Sequence, residues 1–229
     1  MSGEWENLAP WWIDQVSDDP VFATDVVPLL EQIIPSRSGI WLDLGCGEGR
    51  MLRRLGGDVV GCDLALPLLR CSAEAAPAVQ CRLPDLGWLR AESLDGAYAV
   101  LVLEHLANLP HMLAETHRVV RPGGALVVVA NHPAFTATGA GPVVDLNDGE
   151  VLWRWGPYLD AAPSPTNVGG RTVIFYHRPI GRWLGDAAAA GWILEAMEER
   201  GLSEAAIVAE PAYRDQDQLP RLVGWRWRR

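Results

Sequence analysis

Residues 40–49 read Ile-Trp-Leu-Asp-Leu-Gly-Cys-Gly-Glu-Gly. The first five residues are mostly apolar, as in a buried strand, and the glycines that follow end the strand before a short helical segment. A glycine-rich turn at this place lets a ligand approach the backbone closely and aims free helix N–H groups at that ligand. The spacing is G-x-G-x-G, which differs from the G-x-G-x-x-G fingerprint of dinucleotide-binding dehydrogenases.

Strands and helices alternate outward from this turn. We predict strands at 40–44, 59–62, 78–83, 96–103, 125–130, 171–177, 192–199 and 220–228, and helices at 48–55, 64–75, 110–120 and 180–190. Apolar runs without alternation, such as 96–103, are typical of strands buried on both faces of a parallel sheet. The pattern predicts an α/β fold with a Rossmann-like, doubly wound and mostly parallel seven-stranded sheet.

The chain of 229 residues is predicted to form a single domain in four parts. Residues 1–38 form an N-terminal helical cap with a break near Pro20, and residues 39–130 form the ligand-binding core. Residues 131–170 are rich in Pro, Gly, Asn and Asp, which predicts an acceptor-side lid without regular structure. Residues 171–229 complete the sheet.

Composition excludes several classes of function. The net charge is −10, which argues against generic binding to nucleic acid or to anionic membranes. All 19 basic residues are arginine, so lysine-based catalysis is ruled out. The four cysteines form no CxxC pair, which predicts no metal site and reduced thiols in a cytoplasmic protein. No apolar run is long enough to span a membrane, and the first residues lack a signal pattern.

Three aspartates follow predicted strands and are candidate ligand contacts. Asp63 lies 18 residues after Gly45 and is placed to accept the hydroxyls of a ribose, or alternatively to cap the next helix. Asp85 is placed to accept an adenine amine, or alternatively forms a turn after Pro84. Asp43 ends the first strand, where a buried carboxylate needs donors from a ligand ammonium or from the glycine turn.

These residues carry a resemblance to a known family. Residues 42–49, 61–63, 94–105 and 118–126 resemble, in order and spacing, four motifs of the class I S-adenosylmethionine (SAM)-dependent methyltransferases of the type 11 kind. The resemblance implies that SAM is the cofactor and that S-adenosylhomocysteine (SAH) is its product. Residues 86–94 depart from the Leu-Pro stretch of many relatives, which leaves the contacts to adenine open, with Leu86 and Trp88 as packing candidates.

The resemblance also implies which residues bind the cofactor. The amino-acid end of SAM would contact Asp43, Gly45 and Gly47, the ribose would contact Asp63, the adenine would contact Asp85, and the methionine portion would face Ala99 and Val100. The full predicted set is Asp43, Gly45, Cys46, Gly47, Asp63, Leu64, Asp85, Leu86, Ala99 and Val100.

Methyl transfer to oxygen needs a proton acceptor near the carboxyl ends of the fourth and fifth strands. The candidates are Glu104, His105 and His132. His132 is favoured because histidine side chains titrate near neutral pH; the alternative is that it only orders the lid. The resemblance implies a structural or cofactor-proximal role for His105 and Glu104.

The predicted lid holds the sequence Trp153-Arg154-Trp155-Gly156-Pro157-Tyr158. Flat aromatic faces can pack on a sugar ring, so Trp153, Arg154, Trp155 and Tyr158 are candidate substrate contacts, as is His177. The alternative is an aromatic plug or a homodimer interface, where Trp, Tyr and Arg are enriched. Residues 145–150 do not complete a calcium loop, and we predict a turn there.

The leading interpretation is therefore an O-methyltransferase that acts on a small, hydroxylated acceptor. The Ala- and Arg-rich composition without lysine, together with the Trp-rich lid, resembles the mycobacterial sugar methyltransferases of methylmannose polysaccharide synthesis, which implies a saccharide acceptor. The alternatives are a tRNA methyltransferase, against which the acidic charge counts, and a non-catalytic SAM-binding partner protein.

Overall fold

The strand that ends at the glycine turn lies in the middle of a seven-stranded sheet. The computed structural model describes residues 4–15, 22–168, 170–209, 211–215 and 217–229. The strands are β1 (Trp41–Leu44), β2 (Val59–Asp63), β3 (Ala78–Gln80), β4 (Leu94–Val100), β5 (Val120–Asn131), β6 (Gly141–Val144), β7 (Val151–Arg154), β8 (Pro163–Val168), β9 (Arg171–Tyr176), β10 (Ile193–Arg200) and β11 (Leu222–Arg228). The order in the large sheet is β10-β11-β5-β4-β1-β2-β3.

Five neighbouring strands, β3, β2, β1, β4 and β5, run parallel. At the other side of the sheet β11 is antiparallel both to β5 and to β10, so β10 again runs in the direction of the five parallel strands. The predicted Rossmann-like, mostly parallel seven-stranded sheet is confirmed. The predicted strand at 171–177 is not part of it, because β9 pairs with β8 in a separate two-stranded sheet. All carboxyl ends of the parallel strands lie at one edge, where ligands bind in such folds.

Helices cover both faces of the sheet. They are α1 (Glu4–Gln15), α2 (Val27–Ile33), α3 (Arg50–Leu55), α4 (Leu66–Ser72), α5 (Leu109–Val119), α6 (Pro133–Thr136), α7 (Ile180–Ala189) and α8 (Glu204–Ala209). A single π-helical turn spans Phe22–Val26, and 3₁₀ turns span Leu103–His105 and Pro211–Tyr213. Pro20, the predicted break in the N-terminal cap, lies outside the described residues. In the described part of the chain no helix combines the length and apolar character needed to cross a membrane.

Alternation along the strands divides the core into two clusters. Leu42 and Leu44 of β1 face α5 and α7, whereas Trp41 faces α2 and α3. On the first face the rings of Trp183, Trp225 and Trp227 stack with centroids 5.0 and 5.6 Å apart. Trp225 and Trp227, two residues apart on β11, therefore lie on the same buried face of that strand.

Two predictions of secondary structure are corrected. The third strand ends at Gln80 and not at residue 83, because its partner β2 has already ended at Asp63, the last residue in register. The predicted lid of residues 131–170 is not without regular structure, because it contains α6, β6, β7 and β8. Its strands are only four to six residues long and are interrupted by Pro and Gly, which hides their periodicity.

Candidate functional site

A cavity of about 560 Å³ opens at the carboxyl ends of β1, β2 and β4. Its volume is in the range of pockets that enclose a small organic ligand, roughly 300–1,000 Å³. Eight of the predicted site residues line it: Asp43, Gly45, Cys46, Gly47, Asp63, Leu64, Val100 and His105. The parallel sheet brings these residues together because the strands that carry them end at the same edge.

The glycine turn is held against β2 and is open toward the cavity. The amides of Gly45 and Cys46 donate to the carbonyl oxygen of Cys62 at 2.8 and 2.9 Å. Gly45 has a φ of +73°, and a Cβ there would meet the Val102 methyls at 2.6 Å. Gly47 has a φ of +53°, but a Cβ there would meet no protein atom within 4 Å. Gly45 is thus required by packing, whereas Gly47 leaves space that a ligand can fill.

Asp63 connects the turn to the start of α4. Its Oδ2 accepts from the amide of Gly47 at 2.9 Å, and its Oδ1 accepts from the amide of Ala65 at 2.8 Å. Burial raises the pKa of Asp63, and the backbone donors, Ala65 first, oppose that rise. Each oxygen keeps a second lone pair, so the carboxylate can cap α4 and still accept ligand hydroxyls.

Asp43 is a buried carboxylate that lacks a full set of partners. Its Oδ2 has no hydrogen-bond partner among the described residues, and its side chain lines the cavity. Burial raises its pKa to about 8, an effect that the nearby Tyr98 hydroxyl opposes and the charges of Asp63 and Glu48 reinforce. A buried carboxylate without donors favours a cationic ligand group. The ammonium of SAM fits Asp43, and the open backbone at Gly47 fits close approach of the same ligand.

Three predicted cofactor contacts lie outside the cavity. Asp85 is exposed, and its Oδ1 accepts from the amide of Gly87 at 3.0 Å, as expected for a turn residue. Leu86 and Ala99 are fully buried in the core. Residues 81–84 line the cavity next to Asp63 instead.

His105 is the candidate proton acceptor that reaches the cavity. Its Nδ1 lies 3.1 Å from the carbonyl oxygen of Ile174 on β9. Its ring packs edge-on against Trp5 of α1, with centroids 5.1 Å apart, and lies 4.5 Å from the ring of Phe175. Contacts from two elements, α1 and β9, therefore hold the imidazole in place.

Glu104 and His132 are buried outside the cavity. Glu104 Oε1 accepts from the backbone and side-chain nitrogens of Asn131 at 3.1 and 2.9 Å. His132 Nδ1 accepts from the amide of Ala134 at 3.0 Å, and its Nε2 lies 2.8 Å from Glu199 Oε1. Burial lowers the pKa of His132, although Glu199 opposes this. Both ring nitrogens are occupied, so the geometry gives His132 a role in joining α6 to β10.

The aromatic residues of the predicted lid pack on one another and do not line the cavity. Trp153 lies 4.3 Å from the Phe135 ring and 6.5 Å from the Tyr213 ring, while Trp155 is half exposed beside Tyr158. Arg154 is exposed on β7. This arrangement matches the predicted alternative of an aromatic plug.

Both ring nitrogens of His177 also have partners, which lie in the neighbouring loops. Its Nδ1 lies 2.8 Å from Thr136 Oγ1, and its Nε2 lies 2.8 Å from the carbonyl oxygen of Tyr158. Burial lowers its pKa, which favours the neutral ring that can both accept and donate. It joins the loops around α6 and β7 at a distance from the cavity.

Sequence reasoning missed the residues that cover the cavity. Trp5 and Trp12 of α1 line it, and Trp12 Nε1 donates to Glu48 Oε2 at 3.2 Å. Residues 171–174 and 176 of β9 line the opposite side, and Arg171 donates to the carbonyl oxygen of Asn7. Two tryptophans seven residues apart lie on one helix face, and this spacing was the available signal.

Comparison with known proteins agrees with this geometry. A family model described as a methyltransferase domain matches residues 42–128. The nocamycin O-methyltransferase of Saccharothrix syringae is 29% identical over 222 residues, which cover 90% of this chain and 74% of that protein. The malonyl-[acyl-carrier protein] O-methyltransferase of Salmonella typhimurium is 36% identical over 110 residues, which cover 46% of this chain and 41% of that protein. The matched segment spans less than half of the length of some curated relatives.

The fold has a close counterpart among solved structures. The crystal structure of an S-adenosylmethionine-dependent methyltransferase from Mesorhizobium loti superposes with a TM-score of 0.78 at 27% identity, and covers 88% of this chain and 96% of that one. The match to the family model includes the glycine turn, Asp43 and Asp63, which line the cavity. Residues 42–128 therefore match a methyltransferase domain, and the chain has the fold of a solved S-adenosylmethionine-dependent methyltransferase.

Proposed function

We propose that this chain transfers the methyl group of SAM to a hydroxyl oxygen of a small acceptor molecule, with His105 as the proton acceptor. The proposal rests on the position of His105, whose side chain lines the cofactor cavity and forms a hydrogen bond with the carbonyl oxygen of Ile174. The name of the nocamycin O-methyltransferase, which aligns with 90% of this chain, supports oxygen as the acceptor atom.

A carbonyl oxygen can only accept a hydrogen bond, so the bond to Ile174 places the imidazole proton on Nδ1 of His105. The Nε2 atom of the neutral ring then carries a lone pair and can accept a proton. Hydrogen bonding at one ring nitrogen is a general means of setting the tautomer at the other. His105 is thereby prepared to accept the hydroxyl proton of the substrate.

When bound, SAM supplies a methyl group that its positive sulfur makes electrophilic. The acceptor oxygen would form the new O–CH₃ bond as the C–S bond breaks and SAH leaves, and Nε2 of His105 would accept the hydroxyl proton. Asp43 and Gly47 would hold the amino-acid end of the cofactor, and Asp63 would hold the ribose. Trp5 and Trp12 cover the cavity and exclude water, which would otherwise compete for the proton acceptor.

The cavity lining does not favour a saccharide over other small hydroxylated acceptors. Trp153 and Trp155, which suggested a sugar, lie outside the cavity, so the proposal is a small hydroxylated molecule and is not limited to saccharides. The acidic net charge of −10 does not favour a tRNA acceptor.

The test is transfer of labelled methyl from SAM into three separate pools: small metabolites including saccharides, bulk tRNA, and protein. We expect label in the small-metabolite pool with the wild-type chain and a large loss of label with His105→Asn. Label in tRNA or protein alone would overturn the proposal. Absence of label in every pool, with SAM binding demonstrated, would instead support a non-catalytic SAM-binding role.

A further inference from the structure

The acidic residues that line the cavity all lie at its cofactor end. They are Asp43 at the end of β1, Glu48 in the glycine turn and Asp63 at the end of β2. The opposite end, where Asn7 and Leu8 of α1 meet β9, has no carboxylate among the described lining residues and carries the guanidinium of Arg171. At the cofactor end Arg50 and Arg82 accompany the three acids, so the outer end differs in having a cation without a neighbouring carboxylate.

Arg171 retains donors for a ligand. Its Nη1 donates to the carbonyl oxygen of Asn7, and the described residues supply no second partner for its other N–H groups. Arg50, in contrast, is paired with Glu48 at 3.5 Å and lies over the ring of Phe22. The backbone contact to Asn7 neutralises no charge, so the guanidinium remains free to bind an anion.

The walls between His105 and Arg171 are largely apolar. Trp5 and Leu8 come from α1, Val173 and Ile174 come from β9, and Leu106 follows His105. An acceptor that fills this space buries apolar surface, which favours binding in proportion to the area removed from water. A strongly hydrated polyol gains little from such walls.

We propose that the acceptor is an amphipathic hydroxy acid, with a hydroxyl at His105, an apolar body against α1 and β9, and a carboxylate bound by Arg171. This inference rests on the proposed function and names its substrate class. The orientation follows from the charges: at the outer end a carboxylate meets Arg171 without a neighbouring acid, whereas at the cofactor end it would meet Glu48, which Arg50 already pairs, and Asp63. The planar guanidinium matches a carboxylate with charge-assisted hydrogen bonds that a neutral amide cannot make equally well.

The test measures binding without turnover. Isothermal titration calorimetry on the SAH-saturated protein compares each acid with its neutral amide, using para-hydroxybenzoate and para-hydroxybenzamide as an aromatic pair and beta-hydroxyoctanoate and its amide as an aliphatic pair. We expect the acid of at least one pair to bind about tenfold or more tightly than its amide. Arg171→Gln should abolish that preference while SAH affinity is retained.

Arg82→Gln is the matched control, because it removes the same charge from the cavity lining beside Asp63 and should leave the preference for the acid intact. The proposal is overturned if acid and amide bind equally, if neither member of either pair binds at millimolar concentration, or if Arg82→Gln abolishes the preference. It is also overturned if Arg171→Gln weakens acid and amide by the same factor, as loss of the Asn7 contact alone would do. Methyl transfer to neutral acceptors only would refute the hydroxy acid and leave the methyltransferase function intact.

Discussion

The Nδ1 atom of His105 lies 3.1 Å from the carbonyl oxygen of Ile174, a residue 69 positions further along the chain. The contact joins the loop after β4 to β9, and it sets the tautomer of a histidine that lines the cofactor cavity.

Replacement of His105 by Asn keeps a donor near the position of Nδ1 and removes the Nε2 lone pair. If Nε2 accepts the substrate proton, kcat should fall by roughly 10²–10⁴, the usual contribution of a general base. SAH affinity should change little, because the variant retains the bond to Ile174. Steady-state kinetics and calorimetry measure the two quantities, and full turnover in His105→Asn would exclude the proposed role.

Replacement of His132 by Ala should affect stability and not chemistry. The variant removes the cap of α6 and the partly buried bond to Glu199, at a cost of about 1–3 kcal/mol in the free energy of unfolding. Urea denaturation checks this loss, while kcat measured well below the melting temperature should stay near the wild-type value. A large fall in kcat with unchanged stability would return His132 to the mechanism.

The same histidine makes stability depend on pH. Burial holds the folded-state pKa of His132 below the ordinary value of 6.5, so the unfolded chain binds more protons at acidic pH. Its contribution to stability is therefore present above pH 6.5 and is lost as the pH falls through the folded-state pKa. The decline between neutral and acidic pH should be smaller in His132→Ala.

Replacing Gly45 or Gly47 by Ala gives two variants that can be compared directly. Both have positive φ, so each Ala costs about 1–2 kcal/mol in backbone strain. Gly45→Ala adds a clash with Val102 and should destabilise the fold further. Gly47→Ala should fold but lose SAH affinity, because its methyl group enters the ligand space. Thermal denaturation and calorimetry distinguish the two, and wild-type SAH affinity in Gly47→Ala would contradict the assignment.

Asp43 should make cofactor binding depend on pH. Burial raises its pKa to about 8 in the unliganded protein, so the carboxyl is mostly neutral at pH 6 to 7. If the ammonium of the ligand binds the charged form, SAH affinity should rise with pH up to about 8, by at most about tenfold per pH unit. Calorimetry at several pH values tests this, and Asp43→Asn should give weaker binding with a flatter profile.

In the unliganded protein the raised pKa of Asp43 makes the free energy of unfolding fall as the pH rises. The unfolded chain loses the Asp43 proton near pH 3.8, whereas the folded chain keeps it up to about pH 8. Stability from this group is thus full below pH 3.8 and is lost as the pH rises toward 8. Asp43→Asn should be more stable than the wild type at pH 8 without ligand, and equal stability would contradict the buried state of Asp43.

The residues of the cofactor half of the site could be predicted from short stretches of sequence. Apolar runs of strand length, glycines at fixed spacing and aspartates at strand ends are short-range signals, and parallel strands bring their carboxyl ends together without further information. That is why Asp43, Gly47 and Asp63 were predicted and line the cavity. Asp85 was not distinguishable from a turn residue by such signals, and the structure places it in a turn.

The acceptor half depends on contacts between residues that are distant in sequence. His105 meets Ile174 across 69 residues, and Arg171 meets Asn7 across 164 residues. No local periodicity encodes such pairs, so the sequence favoured His132 as the base. Only the fold places His105 in the cavity and gives both ring nitrogens of His132 structural hydrogen bonds. The sequence by itself determined the strands, the glycine turn and the aspartates at the strand ends. Only the packing of α1 and β9 against the sheet decided which side chains face the acceptor, because a cavity forms where elements distant in sequence meet.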